Sequence, residues 1–117
     1  MTTRPVLIVD AANVVGSVPD GWWRDRKGAA ERLRDRLAAR EGEEEVILVV
    51  EGAARGVESV PGVRVESAPG SGDDRIVELA AAHADRPCVV VTADRALRGR
   101  VEAYGARCAG PRTVRPA

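Results

Sequence analysis

The chain of 117 residues has few of the residue types that mark several common kinds of protein: it has no Phe, one His and two Cys, and Lys27 is its single lysine. Cys88 and Cys108 are too few and too far apart for a disulfide framework or a zinc site, so we interpret them as small buried side chains. No apolar run approaches the roughly 20 residues of a membrane helix. The first ten residues show no signal-peptide pattern. We therefore expect a cytoplasmic protein with no membrane partner.

The charges of the chain cancel, with 18 Lys and Arg against 18 Asp and Glu. A neutral total excludes binding to nucleic acids or membranes through bulk charge alone. The length indicates one domain, which can bury about two-thirds of its unfolded surface. The apolar residues are mostly Ala and Val, and only 3% of the chain is aromatic. This supply favours strands of β-branched residues packed under Ala-rich helices.

Five apolar segments predict strands, at residues 6–9, 46–50, 63–65, 88–91 and 107–109. The first, second and fourth are unbroken runs of Val, Ile and Leu, with one Cys at the start of the fourth, typical of strands that are buried on both faces. Helical patterns separate the strands. The alternation predicts an α/β fold with a parallel sheet covered by helices on both faces.

Three helices are predicted between the strands. The first covers residues 23–41, the second begins after the N-cap Ser71, and the third begins near Asp94 with Leu97, Val101 and Tyr104 on one stripe. The segment from residue 110 to the end holds two Pro and two Arg without periodicity. We therefore expect a domain over residues 1–110 and a flexible C-terminal tail over residues 111–117.

Carboxylates follow the predicted strands. Asp10 closes the first strand, Glu51 follows the second, Asp94 comes after the fourth, and Asp73 and Asp74 open the helix before the fourth. Ligands of open α/β sheets bind beyond the carboxyl ends of the strands. Carboxylates that converge there need protons or cations to neutralise them. Oxygen ligands without His or Cys favour Mg²⁺ or Mn²⁺, and one or two such ions could activate a phosphodiester for attack by water.

Each carboxylate also has a purely structural interpretation. Asp94 can cap a helix, and Asp73 and Asp74 can complement a helix dipole. Asp10 is harder to explain in this way, because an acid that closes a buried strand needs a partner or a function. Taken together, the carboxylates favour a metal site.

Other polar and aromatic residues each have a functional and a structural interpretation. Asn13 can orient a water or a phosphate oxygen, or it can cap a turn. Arg95 and Arg24 can contact substrate phosphates, or they can be solvated surface charges. Trp22 and Trp23, if helical, point about 100° apart, so at least one of them is partly exposed. Trp22 can stack on a base or pack across the sheet edge.

Three short motifs occur in order along the chain: DAAN at residues 10–13, GDDRI at 72–76 and TADR at 92–95. With these motifs the sequence resembles, over nearly its whole length, the NYN domains of the PIN-like nuclease superfamily, and within them the small bacterial branch related to the YacP proteins. The resemblance implies a Rossmann-like sheet of order 3-2-1-4-5. It also implies an acidic site that uses Mg²⁺ or Mn²⁺ to cleave RNA.

The resemblance also implies roles for residues. Asp10, Asp73 and Asp94 would be metal ligands and Asn13 a site-shaping amide, with Asp74 and Glu51 as further acidic groups. Such domains often carry Asp where this chain has Glu51, and usually Gly where it has Ala11.

The leading hypothesis is a metal-dependent ribonuclease that leaves 5′-phosphate ends. A catalytically inactive PIN-like module that binds RNA or another protein is the alternative, and a hydrolase of small phosphoesters is a weaker one. The sequence leaves open which RNA is cut and whether the chain forms a homodimer.

Overall fold

Five strands and four α-helices lie along residues 4–115, the part of the chain described by a computed structural model. The strands are β1 (Val6–Asp10), β2 (Glu45–Val50), β3 (Val63–Ser67), β4 (Cys88–Val91) and β5 (Arg107–Ala109). The helices are α1 (Ala11–Gly16), α2 (Arg26–Ala38), α3 (Gly72–Ala82) and α4 (Arg95–Glu102). Short 3-10 helices lie at Trp22–Arg24, Gly52–Ala54 and Pro111–Thr113.

The sheet has the order β3-β2-β1-β4-β5, and each neighbouring pair is parallel. The predicted fold class and strand order are thus confirmed. After β1 the chain forms β2 and β3 on one side of β1, and it then returns to form β4 and β5 on the other side. The strand order therefore reverses between β1 and β4. Val9 lies beside Val91 in this pair. The residues that follow them, Asp10 and Thr92, therefore meet at the carboxyl edge.

The unbroken apolar runs of the central strands feed two separate cores. In β1, Leu7 and Val9 pack against α1 and α2, whereas Val6 and Ile8 pack against α3 and α4. Successive side chains of a strand point to opposite faces, so a strand covered on both sides must be apolar throughout. Asp10 is the one residue of β1 that breaks this rule.

The first predicted helix is shorter and begins later than expected. Asp25 interrupts it, because its carboxylate accepts a hydrogen bond from the Gly28 N–H at 2.9 Å and so caps a helix that starts at Arg26. The preceding turn of Trp22–Arg24 is a separate 3-10 helix. Helix α1 was not predicted, because its six residues are too few to show a helical period.

The third predicted helix ends earlier than expected. It stops at Glu102, so Tyr104 is not part of its buried stripe and is exposed instead. Leu97 and Val101 are fully buried, as predicted. Over residues 4–115, no helix combines the length and the apolar character that crossing a membrane requires.

The expectation of a flexible tail is wrong for residues 111–115. Val114 is buried in the core under α1 and α2. Arg115 donates a hydrogen bond to the carbonyl of Val15 at 3.1 Å and forms an ion pair with Asp20. Val114 and Arg115 hold the segment in place, and single residues of this kind produce no periodic pattern in the sequence. Residues 116 and 117 of the expected tail lie outside the described residues.

Candidate active site at the carboxyl edge of the sheet

Asp10 is a buried carboxylate at the point where the strand order reverses. Its side chain is 4% exposed and caps α1 through a 3.4 Å hydrogen bond from the Asn13 N–H. The hydroxyl of Thr92 donates to Asp10 Oδ2 at 2.9 Å. Burial raises the pKa of Asp10 to about 6; the two hydrogen bonds oppose the rise, and the charges of Asp73 and Glu51 add to it. At neutral pH the folded protein therefore holds this carboxylate ionised at a cost that a bound cation would offset.

Thr92 joins two of the predicted acidic residues. Its side chain is fully buried, and its hydroxyl donates to Asp10 while it accepts from the Asp94 N–H at 3.2 Å. Thr92 was not among the predicted site residues. The signal that could have found it is a hydroxyl residue directly after a buried strand and two positions before an acid.

Asp94 begins α4 as its N-cap, as predicted. Its Oδ1 accepts a hydrogen bond from the Leu97 N–H at 3.1 Å. Its other carboxylate oxygen has no hydrogen-bond partner among residues 4–115. Asp94 can therefore cap α4 and bind a further group at the same time.

Asn13 bridges the two loops that leave β1 and β4. Its side-chain oxygen accepts from the Ala93 N–H at 2.8 Å. The amide orientation follows from this contact, because a backbone N–H needs an acceptor. The side-chain NH₂ makes no hydrogen bond within the described part of the chain, so it can donate to a phosphate oxygen or a water.

Glu51 reaches from the end of β2 to the start of α3. Its Oε2 accepts from the Gly72 N–H at 2.9 Å. A Cβ on Gly72 would lie 3.1 Å from the Glu51 carboxyl carbon, so the glutamate side chain would have to shift by a few tenths of an ångström to make room. The extra methylene of Glu relative to Asp supplies the reach to α3.

Asp73 lies in the first turn of α3, where burial raises its pKa. The charges of Asp94 and Glu51 raise it further, and Arg100 lowers it. Its carboxylate makes no hydrogen bond within residues 4–115. The electrostatic couplings thus connect Asp73 to Asp10, Glu51 and Asp94 in one acidic cluster.

Asp74 adds its charge to those that raise the pKa of Asp73, but it lies at the surface. Its side chain is 66% exposed and pairs with Arg100 at 2.9 Å. The structure therefore brings four of the five predicted carboxylates together and leaves Asp74 on the surface.

The acidic cluster of Asp10, Glu51, Asp73 and Asp94 fits a divalent cation in its chemistry but does not form a closed cage. No group of three or more His, Cys, Asp or Glu side chains within residues 4–115 is arranged to hold a metal ion by itself. Mg²⁺ usually keeps several waters and binds through one or two carboxylates plus substrate phosphates. The mutual repulsion within the cluster and its oxygen-only donors suit that hydrated mode of binding.

The three predicted substrate-binding residues lie at different places around the cluster. Arg95 is the first residue of α4 and is exposed, and Arg24 is exposed at the end of its 3-10 helix; neither forms an ion pair with the described residues. Trp22 is half-buried against the core, with the Arg26 guanidinium 5.3 Å from its ring centroid. Trp23 is 50% exposed and meets Trp22 edge to face.

A cleft of about 300 Å³ lies between α1, the start of α2 and the turn after β2. Glu51 lines one part of it, and Trp22 and Arg26 line another. Trp22 was a predicted substrate-binding residue, but its place in one cleft with Glu51 follows only from the packing of α2 on the sheet.

Comparison with known proteins supports the fold. No family model matches the sequence, and a search of curated proteins gives no match. Among solved structures the chain is similar to the crystal structure of a point mutant of Rae1 (YacP) from Bacillus subtilis. The TM-score is 0.69 at 24% identity, and the match covers 92% of this chain and 69% of that chain. The chain therefore shares the fold of that protein, as the resemblance of its motifs implied.

Proposed function

We propose that this protein is a metal-dependent ribonuclease that hydrolyses phosphodiester bonds of RNA. The observation that carries the proposal is the buried Asp10 at the reversal point of the sheet, with a pKa raised to about 6 and two further acids acting on it. A fold gains nothing in stability from a buried, repelled carboxylate, whereas perturbed acids of this kind are common at functional sites. The YacP-like NYN fold gives the cluster a nuclease context.

Asp10, Asp73 and Asp94 would hold a Mg²⁺ or Mn²⁺ ion, with Glu51 as a further acidic neighbour. Asp74 is not included, because it is engaged by Arg100 at the surface. Such an ion, when bound, polarises the phosphoryl group and lowers the pKa of water.

The remaining residues position the substrate. The free amide of Asn13 donates to a phosphate oxygen, and Arg95 provides a positive charge beside the same edge. Thr92 holds the Asp10 carboxylate in place. Water would attack phosphorus in line as the bond to the 3′ oxygen breaks; the water gives up a proton and the 3′ oxygen takes one up, so the products are a 3′-hydroxyl and a 5′-phosphate end.

Cleavage of RNA by the purified chain, with Mg²⁺, with Mn²⁺ and with EDTA, tests the proposal. The variant Asp10→Asn should lose at least about 100-fold in rate, since even groups behind metal ligands cost 10- to 100-fold. Asp74→Asn is the matched control and should keep activity. Cleavage that survives Asp10→Asn, or no cleavage of any RNA with either ion, would reject the proposal.

A second candidate is a catalytically inactive module that binds RNA or a protein. It is favoured by the fact that three carboxylates already accept backbone N–H groups: Asp10 from Asn13, Asp94 from Leu97, and Glu51 from Gly72. Thermal unfolding in increasing Mn²⁺ separates the two candidates. A metal site is stabilised by the ion, whereas carboxylates that serve only as caps are not.

A further inference from the structure

The carbonyl of Thr92 lies at the end of the β4 ladder and lacks its regular backbone partner. The Thr92 N–H donates to the Ala109 carbonyl at 2.9 Å and so extends the parallel pairing of Val91 with Ala109. In such a ladder the carbonyl of the same residue accepts from the N–H two positions further along the neighbouring strand. That position is Pro111, which has no N–H. Because Thr92 is fully buried, an unpaired carbonyl there would be costly.

Arg98 of α4 supplies the missing donor. Its Nε donates to the Thr92 carbonyl at 2.9 Å. Asp94 caps α4 and its carbonyl accepts from the Arg98 N–H, so Arg98 lies one turn into the helix. Long side chains of a helix point back toward its N-terminus, which brings the guanidinium to the end of β4. Arg98 is half-buried and forms no ion pair within residues 4–115, so its side chain closes the ladder in place of the backbone.

The peptide group between Thr92 and Ala93 is held at both ends. Arg98 donates to its carbonyl, and its N–H donates to the side-chain oxygen of Asn13 at 2.8 Å. A peptide group is planar, so contacts to its carbonyl and to its N–H together fix its orientation. The two contacts come from different elements, since Arg98 belongs to α4 and Asn13 to α1.

The orientation of this peptide reaches several groups of the candidate site. The hydroxyl of Thr92 joins Asp10 to the Asp94 N–H, and the contact with the peptide directs the amide of Asn13. We propose that Arg98 is a positioning residue for the reaction, since it fixes the peptide that orients the Thr92 hydroxyl and the Asn13 amide. The inference rests on the proposed nuclease function and adds a residue that acts on the site through the backbone.

The first test measures cleavage of a fluorescent RNA oligonucleotide of mixed sequence, with Mn²⁺, by the full chain and its Arg98→Met variant. Methionine keeps most of the side-chain stem and removes the donor. A misplaced site should lower kcat about 10-fold or more, as loss of groups behind metal ligands does, while KM stays within about 3-fold. Arg107→Met removes the same charge from an exposed position on β5 and should change neither constant. An unchanged kcat, or a raised KM alone, would overturn the inference.

Restoring the backbone donor distinguishes a positioning role from a direct contact with the substrate. Pro111→Ala gives residue 111 an N–H, and the extended backbone of Gly110 continues the line of β5 toward the Thr92 carbonyl. Added to Arg98→Met, Pro111→Ala should recover most of the lost kcat, whereas alone it should leave kcat unchanged. The double variant still lacks the guanidinium, so recovery cannot come from a contact of Arg98 with RNA. No recovery in the double variant would overturn the inference.

The second test needs neither metal nor cleavage. Amide hydrogen exchange measured by NMR in EDTA reports on the Ala93 and Asp94 N–H groups, whose acceptors lie in the site. In Arg98→Met both should exchange about 10-fold faster or more, the effect of one lost hydrogen bond to a charged group. The Gly56 N–H bonds to the Ser67 hydroxyl at 3.0 Å between β2 and β3, and it is the matched control that should keep its rate.

The outcomes separate this inference from the proposed function. Unchanged exchange in Arg98→Met, or equal acceleration at Gly56, would overturn the role of Arg98 and leave the nuclease intact. A wild type that cuts no RNA rejects the nuclease, and the exchange rates then decide by themselves whether Arg98 holds the peptide. Faster exchange that Pro111→Ala reverses, together with the loss and recovery of kcat, supports the inference.

Discussion

Replacing Asp10 with Asn should make the protein more stable at neutral pH while it abolishes activity. The amide has the same shape as the carboxylate, and its oxygen still accepts a hydrogen bond from the Thr92 hydroxyl. Two things change: the negative charge is removed from a site that is 4% exposed, and the amide NH₂ replaces Oδ1, which accepts a hydrogen bond from the Asn13 N–H in the wild type.

The expected gain follows from the pKa of Asp10, which is raised from 3.8 to about 6 by burial first and by neighbouring acids. Each pKa unit corresponds to about 1.36 kcal/mol, so ionised Asp10 costs the folded state about 3 kcal/mol. A raised folded-state pKa means that the protein is most stable with Asp10 protonated. That stability is fully present below pH 3.8 and is lost as the pH rises through 6.

The free energy of unfolding should therefore be measured in urea between pH 4 and pH 8, in EDTA, for the wild type, Asp10→Asn and Asp74→Asn. Asp10→Asn should exceed the wild type by about 2 kcal/mol at pH 8, which is the roughly 3 kcal/mol from ionisation less about 1 kcal/mol for the lost hydrogen bond from Asn13, or about 8 °C in Tm at about 4 °C per kcal/mol. Most of this difference should vanish at pH 4. Asp74→Asn lies on the surface and should change the free energy by less than about 1 kcal/mol.

Two results would refute this reasoning. One is an Asp10→Asn variant that is no more stable than the wild type at pH 8. The other is a stability difference that is the same at pH 4 and pH 8, because a gain that does not vary with pH cannot come from ionisation.

Three further predictions concern the ion and the residues around Asp10. Mn²⁺ at 100 times its Kd should stabilise the wild type by about 2.7 kcal/mol in thermal unfolding, and it should stabilise Asp10→Asn far less; equal shifts would place the ion elsewhere. Thr92→Val removes a hydrogen bond that lowers the pKa of Asp10, so the pKa should rise and the acid limb of the pH profile of kcat/KM should move to higher pH. An acid limb that does not move would contradict the role of Thr92. Gly72→Ala puts a Cβ 3.1 Å from the Glu51 carboxyl carbon, so it should weaken the affinity for Mn²⁺ measured by calorimetry. Gly70→Ala, which has open space at its Cβ, is the control, and equal affinities of the two variants would rule out a contribution of Glu51.

Much of the fold could be predicted because its signals are local. The apolar runs of β1, β2 and β4 are unbroken since both faces are covered, and Ser71 and Asp94 cap the helices that follow them, as expected. The N-cap residue Asp25 is an equally local signal, but the helical spacing of the apolar residues around it hid that signal. The short α1 and the packed segment around Val114 carry no period, so the sequence did not reveal them.

The sequence by itself determined that acids stand at the ends of three strands and at one helix start, and chain topology made their convergence expected. Only the tertiary structure decided how they are connected. It joins Asp10 to Asp94 through Thr92, sets Glu51 against the N–H of Gly72, and turns Asp74 to Arg100 instead. These contacts join residues up to 82 positions apart. Burial sets the charge state of Asp10 and packing forms the cleft at Trp22, and both depend on neighbours that no local pattern specifies.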